Sequence, residues 1–333
     1  MNPLLSAWLL FALCVVLIGT AGPVLSRSAD TIAEETGVSG SWVGLVVLAS
    51  VTSLPELVLG ASAIQLAGRP DIAIGDVLGS CVFNLVLLAV LDMLLRGPGL
   101  YQLASPRHVL AGTFGILLMG IVALALLLPP GSSGPSLGHV GVVSPLLLVL
   151  YAAAMRSLFR HNGQDPSTPR APPRLTHPRL RRAIARYVAG AAVIVGAGIG
   201  LSLAAEQVAE LMAWHMGFMG TLFVATATSM PELVVTLAAL RIGAIDMAIA
   251  NLLGSNLFNM LIVVVDDALF VNGPVLRNVA PAHGVSALIA IVMTALVMTG
   301  LTCRPARRLG RVGWIDAGLI SGYLLNLFAL YRG

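Results

Sequence analysis

Ten stretches of this 333-residue chain are apolar for long enough to cross a bilayer, near 3–25, 42–66, 71–95, 108–129, 139–158, 183–205, 217–241, 246–270, 283–302 and 313–331. Each is long enough for a helix that spans roughly 30 Å of hydrocarbon, which takes about 20 residues. Polar residues gather between the stretches, and the exceptions are informative. Thr52-Ser53-Leu54-Pro55-Glu56-Leu57-Val58 stands inside the second stretch. It returns as Thr228-Ser229-Met230-Pro231-Glu232-Leu233-Val234 inside the seventh, 176 positions on.

A second matching segment follows each copy. Asp71-Ile-Ala-Ile-Gly-Asp76-Val-Leu-Gly79-Ser80-Cys81-Val-Phe83-Asn84 pairs with Asp246-Met-Ala-Ile-Ala-Asn251-Leu-Leu-Gly254-Ser255-Asn256-Leu-Phe258-Asn259 at an offset of 175. Upstream, Gly22, Leu25, Ser26 and Ala29 recur as Gly198, Leu201, Ser202 and Ala205. Asp30, Ala33, Glu34 and Gly44 likewise face Glu206, Ala209, Glu210 and Gly220. Helices one to three therefore repeat as six to eight, and the unit is five helices. An odd number of crossings sends the second copy into the membrane from the opposite side. The expected fold is an all-α membrane protein with ten transmembrane helices, arranged as two inverted five-helix repeats with broken motif helices. The first repeat takes 1–158, with its motif at 49–84; the second takes 183–333, with its motif at 225–259. Helices four and five pair with nine and ten by position only.

Composition agrees: 57% hydrophobic residues, 10% charged and a mean hydropathy of +0.93 exclude a soluble globular chain. The pI of about 9.3 does not imply nucleic acid, because the basic residues are distributed as in a membrane protein. All 19 are arginine. With the N-terminus outside, the inner loops hold Arg27, Arg96, Arg107, Arg241, the group from Arg156 to Arg186 and the group from Arg304 to Arg311, leaving only Arg69, Arg277 and Arg332 outside. The positive-inside rule then places both termini outside and the central loop in the cytoplasm. That loop, the Pro- and Arg-rich linker 159–182, is either a solvated connector or an arm touching anionic lipid. Arginine-rich, lysine-free composition hints at a GC-rich bacterial genome, hence a cytoplasmic (inner) membrane. The first stretch is too long, and lacks the basic start, for a cleaved signal, so it is expected to remain as helix one. Trp8, Trp42, Trp214 and Trp314 fall near segment ends, as interfacial tryptophans do. Cys14, Cys81 and Cys303 have no redox or metal spacing. The histidines look scattered. No nucleotide loop, hydrolytic triad or redox motif is present, so neither an enzyme nor a cofactor is expected, and no obligate protein partner is indicated.

Carboxylates at membrane depth mark ion or substrate pathways. In one motif Thr52 and Glu56 sit at i, i+4, on one helix face. Pro55 has no amide hydrogen, so the carbonyl of Val51 is released from the helix ladder. A hydroxyl, a carboxylate and a free carbonyl then surround one point, and hard cations such as Ca²⁺ or Na⁺ take oxygen ligands of this kind. The second copy offers Thr228, Glu232 and the carbonyl of Ala227. Asp76, Ser80 and Asn84 form a ladder spaced by four on the next helix, as do Asn251, Ser255 and Asn259. Gly79 and Gly254 would admit a neighbouring backbone. Crossing these helices at the midplane brings Glu56 toward Glu232, and two adjacent carboxylates in low dielectric need compensation. One divalent cation would neutralise the pair, and protons or monovalent cations would have to replace it. Asp76 is open between a proton-carrying or supporting role, with Asn251 as its counterpart, and a packed hydrogen-bonding role. Asp92 and Asp267 lie farther along and read as interfacial. Asp30, Glu34, Glu206 and Glu210 read as solvated helix ends.

At these residues the chain resembles the sodium/calcium exchanger membrane family of the calcium/cation antiporter superfamily. Its hallmark is a pair of inverted repeats carrying GTSxPE and GNxxGSNxxN, and the match here covers about 38–95 and 214–270. The resemblance implies an antiporter with Ca²⁺ and Na⁺ as transported substrates rather than cofactors. It implies Thr52, Glu56, Thr228 and Glu232 around Ca²⁺. It implies Na⁺ positions drawn from the Ala49 and Ala225 carbonyls and from Ser53, Ser80, Asn84, Ser229, Ser255 and Asn259. Helices one and six would slide as gates. Several positions depart from the pattern. Val51 and Ala227 replace its glycine, and Asp76 and Cys81 replace both asparagines of the first GNxxGSN. Asn259 stands where potassium-dependent members carry Asp, which argues against K⁺. Gly79 and Gly254 stand where the proton-coupled branch has Glu, which favours Na⁺, while Asp76 leaves a proton route open. A cation channel or a non-transporting membrane protein is the reading from another class.

Overall fold

The computed structural model describes residues 3–127, 136–162, 178–212, 221–305 and 308–332. The first crossing is α1 (Pro3–Thr36). The second is broken into α2 (Gly40–Trp42), a π-helical stretch (Val43–Leu48), α3 (Ala49–Thr52) and α4 (Leu54–Gln65). Next come α5 (Pro70–Leu94), a short α6 (Leu100–Leu103), α7 (His108–Leu126) and α8 (Val143–Asn162). The second half repeats the plan with α9 (Pro178–Leu211), the broken pair α10 (Thr221–Thr228) and α11 (Met230–Arg241), α12 (Ile245–Leu269), α13 (Ala282–Cys303) and α14 (Trp314–Arg332). These are ten crossings in two inverted five-helix repeats. Eight are single apolar spans, counting Gly40–Gln65 as one; the broken α10/α11 and the shorter α14 supply the others. Outward-facing Leu13, Val16, Leu124, Val149, Val188 and Val292 form the apolar exterior that lipid requires.

Helices α1 and α9 each run 34 residues, about 51 Å at 1.5 Å per residue, well past the apolar stretches that announce them. The extra turns carry charge. Arg27 consequently lies on the exposed side of α1 rather than in a loop, and a positive φ at Gly37 ends the helix. Likewise the linker is shorter than 159–182. Helix α8 continues to Asn162 and α9 already begins at Pro178, a proline being suited to a first helical position. Arg179 then pairs with Glu34 at 3.0 Å and Glu35 at 3.1 Å, tying the start of α9 to the end of α1. Residues 163–177 and Trp214 lie outside the described residues.

The repeat also covers the helices where no sequence match is evident at first. Before α8, strands β1 (Ser136–Leu137) and β2 (Val140–Gly141) form a hairpin; before α14, β3 (Arg308–Leu309) and β4 (Val312–Gly313) do the same. Their shared signal is Leu-Gly-x-Val-Gly, at Leu137 and Leu309. The histidines are not all scattered either. His108 Nε2 lies 2.9 Å from Asp246 Oδ1, and its repeat partner His283 lies 3.1 Å from Asp71 Oδ1. Each aspartate also accepts a backbone amide, from Ser105 and Ala280 respectively. Each pair staples the start of one repeat's fourth helix to the start of the other repeat's third.

Asp92 and Asp267 are buried clamps near the ends of α5 and α12. Asp92 accepts the amide of Leu100, and Asp267 accepts those of Val275 and Gly141 and the Ser144 hydroxyl. Removing a buried acceptor leaves its donors unsatisfied, at about 1–3 kcal/mol each. Asp267→Ala and Asp92→Ala should therefore each lower the thermal midpoint of the detergent-solubilised protein, which is checked by fluorescence-detected size exclusion after a temperature series.

Candidate cation site

The two broken crossings are interrupted at equivalent serines. Ser53 (φ −92°, ψ 5°) separates α3 from α4, and Ser229 (φ −83°, ψ 5°) separates α10 from α11. Proline two residues later cannot donate to the ladder, so a break here wastes no amide. The motif is not one continuous helix, yet the ladder resumes at once: Leu57 N donates to Ser53 O, and Leu233 N to Ser229 O. Ala49 and Ala225 carbonyls accept Thr52 Oγ1 (3.3 Å) and Thr228 Oγ1 (2.9 Å), turning both hydroxyls inward.

Close packing delivers the neighbours. Gly254 of α12 lies directly beneath the Leu45 backbone of the π-helical stretch, leaving no room for a Cβ. Such wide turns in a helix are often found beside functional sites. The expectation for Gly79 is only partly met, since a Cβ there would be in ordinary contact with Ala225, at 3.7 Å. Gly22 of α1 seats Val234, and Gly198 of α9 lies against both kink prolines, Pro55 and Pro231.

Twelve of the residues singled out by motif and spacing meet in one buried cluster: Thr52, Ser53, Glu56, Asp76, Ser80, Asn84, Thr228, Ser229, Glu232, Asn251, Ser255 and Asn259. The Ala49 and Ala225 carbonyls border it. Ser53 Oγ donates to Glu232 Oε1 across the repeats at 3.0 Å. Ser255 links the same oxygen to Thr52, at 3.4 Å to each. Ser229 donates to Ser80 at 3.1 Å, and Thr228 to Asp76 at 3.0 Å. Glu56 is buried in the same cluster. Asn84 donates to Asn256 at 3.0 Å, matched on the other side by Asn259 donating to Cys81 Sγ at 3.5 Å.

Two features depart from the sequence reading. Asp76 and Asn251 are not equivalent: Asp76 reaches across to Thr228, whereas Asn251 turns to Thr236 of its own repeat, at 3.0 Å. Asn256 was overlooked because it lies one position off the four-residue ladder. It bridges Asn84 to the Cys81 carbonyl.

Six buried side-chain oxygens in the cluster have no hydrogen-bond partner among the described residues. They form three repeat-related pairs: Glu56 Oε2 with Glu232 Oε2, Asn84 Oδ1 with Asn259 Oδ1, and Asp76 Oδ2 with Asn251 Oδ1. Buried polar atoms are nearly always paired, so these oxygens call for partners that the described residues do not supply. Oxygen-only sets of this kind suit hard cations.

A family model for the sodium/calcium exchanger protein matches residues 6–157 and 183–332. The chain belongs to this family. It is 28% identical to the sodium/calcium exchanger MaX1 of Methanosarcina acetivorans over 79% of its length and 83% of that protein. It is 24% identical to the Ca²⁺/H⁺ antiporter ChaA of Bacillus subtilis, covering 98% of this chain and 92% of that protein. Its fold matches a structure of the sodium–calcium exchanger NCX_Mj soaked with Na⁺, with a TM-score of 0.73, 20% identity and coverage of 97% and 98% of the two chains. Within this family fold, Gly254 should be the less tolerant of the two cluster glycines. Gly254→Ala must push the Leu45 backbone off α12, at about 1–3 kcal/mol for overpacking, while Gly79→Ala should be near neutral in thermal unfolding.

Proposed function

We propose that the protein is a secondary antiporter that exchanges Ca²⁺ for Na⁺ by alternating access. The carrying observation is the set of paired orphan oxygens at the crossing of the two repeats. In this reading Thr52, Glu56, Thr228 and Glu232 hold Ca²⁺, with the carbonyls that Pro55 and Pro231 release. Ser53, Ser80, Asn84, Ser229, Ser255, Asn259 and the carbonyls of Ala49 and Ala225 hold Na⁺. Asn251 and Asp76 support the cage. A divalent ion offsets both glutamates, and its departure leaves two buried anions that need other cations before the protein can move. That requirement makes the cycle an exchange rather than a leak.

The gating also has support. Buried apolar side chains fall into two clusters. One spans α5, α7, α12 and α13; the other joins α1 and α9 to Val43, Leu48, Ala227, Val235 and Met247. A pair of long helices with its own core can slide over the rest as a unit. Gly22, Gly198 and the Ser26 hydroxyl on the Val235 carbonyl, at 2.9 Å, are its running surface.

One observation favours a second reading, H⁺/Ca²⁺ exchange. Asp76 adds a third carboxylate to the pair, and one Ca²⁺ leaves its charge uncompensated. The relationship to ChaA, itself a Ca²⁺/H⁺ antiporter, points the same way. In proteoliposomes, Ca²⁺ uptake should follow an imposed Na⁺ gradient; uptake that ignores Na⁺ and follows a pH gradient would select the proton reading. Glu56→Gln and Glu232→Gln should each reduce flux to background while the protein stays monodisperse, and normal flux from both would overturn the site assignment.

The same reading places repeats at 1–158 and 183–333 in a bacterial cytoplasmic membrane, both termini outside and the linker in the cytoplasm. The arginine distribution supports it. A green fluorescent reporter inserted between residues 163 and 177 should light up, whereas one at either terminus, exported through the general secretory route, should stay dark.

A further inference from the structure

Asp266 is a carboxylate that neither the motifs nor the cage uses. It is completely buried near the end of α12, and neither of its oxygens has a hydrogen-bond partner among the described residues. Opposite it stands Gly60 of α4, one turn beyond Glu56. A Cβ on Gly60 would come within 2.9 Å of Asp266 Oδ1, so the glycine makes the space that the carboxylate occupies. The end of the bundle is identified by Gln65 Nε2, which donates to the Leu269 carbonyl at 2.9 Å. Asp266 therefore lies between the cage and that end.

The repeat relationship makes this position unusual. The counterpart of Gly60 is Thr236 and the counterpart of Asp76 is Asn251, and those two are hydrogen-bonded at 3.0 Å. The counterpart of Asp266 is Leu91. On one side of the cage the position is neutral, with a single orphan oxygen, Asn251 Oδ1. On the other it holds two carboxylates with three orphan oxygens between them, Asp76 Oδ2 and both of Asp266.

Asp266 lies on α12, and the titratable side chains on elements packed against that helix include Asp76 of α5, Glu56 of α4, Glu232 of α11, His108 of α7, Tyr151 of α8 and Arg277. Its neighbour Asp267 points to Gly141, Ser144 and Val275. Around Gly60 the α4 side chains Leu59, Ala63 and Ile64 are apolar, so the six or more oxygens of a metal site are lacking. An ionised carboxylate without partners in such surroundings is far costlier than its neutral acid.

We propose that Asp266 is a proton-binding site on one approach to the cation cage, exchanging its proton with water at the Gln65–Leu269 end. A proton from that face forms the O–H of the Asp266 carboxylic acid. Its return to the same face leaves a carboxylate that, with Asp76, draws a cation toward Glu56. Acid at that face alone therefore opposes cation entry. This rests on the exchange reading for its transport effect, but not on which counter-ion is used.

The test uses the full-length protein in oriented proteoliposomes and measures Ca²⁺/Ca²⁺ self-exchange, which needs no counter-ion, with pH varied on one face at a time. For one titrating site, lowering the pH from about 8 to about 6 at the Gln65–Leu269 face should slow exchange by at least about fivefold, and by much less at the other face. Asp266→Asn, neutral like the protonated acid, should abolish that difference and hold the rate near the acid value of the unaltered protein at every pH, and Asp266→Glu should retain the difference. Independently of transport, the infrared spectrum of purified protein should show a protonated carboxyl band that shifts in D₂O, vanishes in Asp266→Asn and moves in Asp266→Glu. Persistence of one-sided pH dependence in Asp266→Asn, or absence of an assignable carboxyl band, would overturn the proposal. Absence of any self-exchange in the unaltered protein with the band still present would instead count against the exchanger reading.

Discussion

Everything in this structure depends on keeping carboxylates at membrane depth without stranding them. An isolated anion in hydrocarbon is too costly to persist, so its surroundings must supply donors or cations. The chain supplies them by interrupting a helix twice. Each Ser-x-Pro-Glu break turns a threonine and a serine inward and buries a glutamate beside them. Ser53 on Glu232 and Ser255 between Glu232 and Thr52 then hold the two halves as one network.

That network would collapse without close approach of backbones. Gly254 under Leu45, Gly22 beside Val234 and Gly198 against the kink prolines replace side-chain bulk with contact. Membrane helices associate through packing and hydrogen bonds, since lipid provides no hydrophobic drive between them. The division of apolar side chains into two clusters follows from this packing. Most of the bundle is welded by α5, α7, α12 and α13, while α1 and α9 hold to each other and rest on the motif helices. The Arg179–Glu34 and Arg179–Glu35 pairs join the two long helices at their ends. The two long helices thus belong to a different apolar core from the bulk of the bundle.

The pseudo-symmetry is strict where it serves architecture and broken where it serves the site. His108 with Asp246 mirrors His283 with Asp71, Asp92 mirrors Asp267, and the two hairpins mirror each other. At the cage, Asp76 faces Asn251 in the repeat, Cys81 faces Asn256, and Gly60 faces Thr236. One approach is consequently acidic and the other neutral. A transporter that must present its site to two solutions in turn has a use for that difference.

The sequence by itself determined the ten crossings, the inverted repeat and the twelve polar side chains of the cluster. Apolar length, odd repeat count and i, i+4 spacing are local properties that survive without coordinates. It also carried signals that are easily passed over, such as the shared Leu-Gly-x-Val-Gly and the equivalent positions of His108 and His283. Only the tertiary structure decided partners. Spacing puts Asp76 and Asn251 at the same place on their helices, but which neighbour each meets depends on the crossing of helices far apart in the chain. Hence Asp76 bonds Thr228, Asn251 bonds Thr236, and Asn256, off the expected ladder, joins Asn84. Asp266 is the clearest case, because a lone aspartate in an apolar helix acquires meaning only when the residue opposite it is known to be Gly60, and packing alone specifies that.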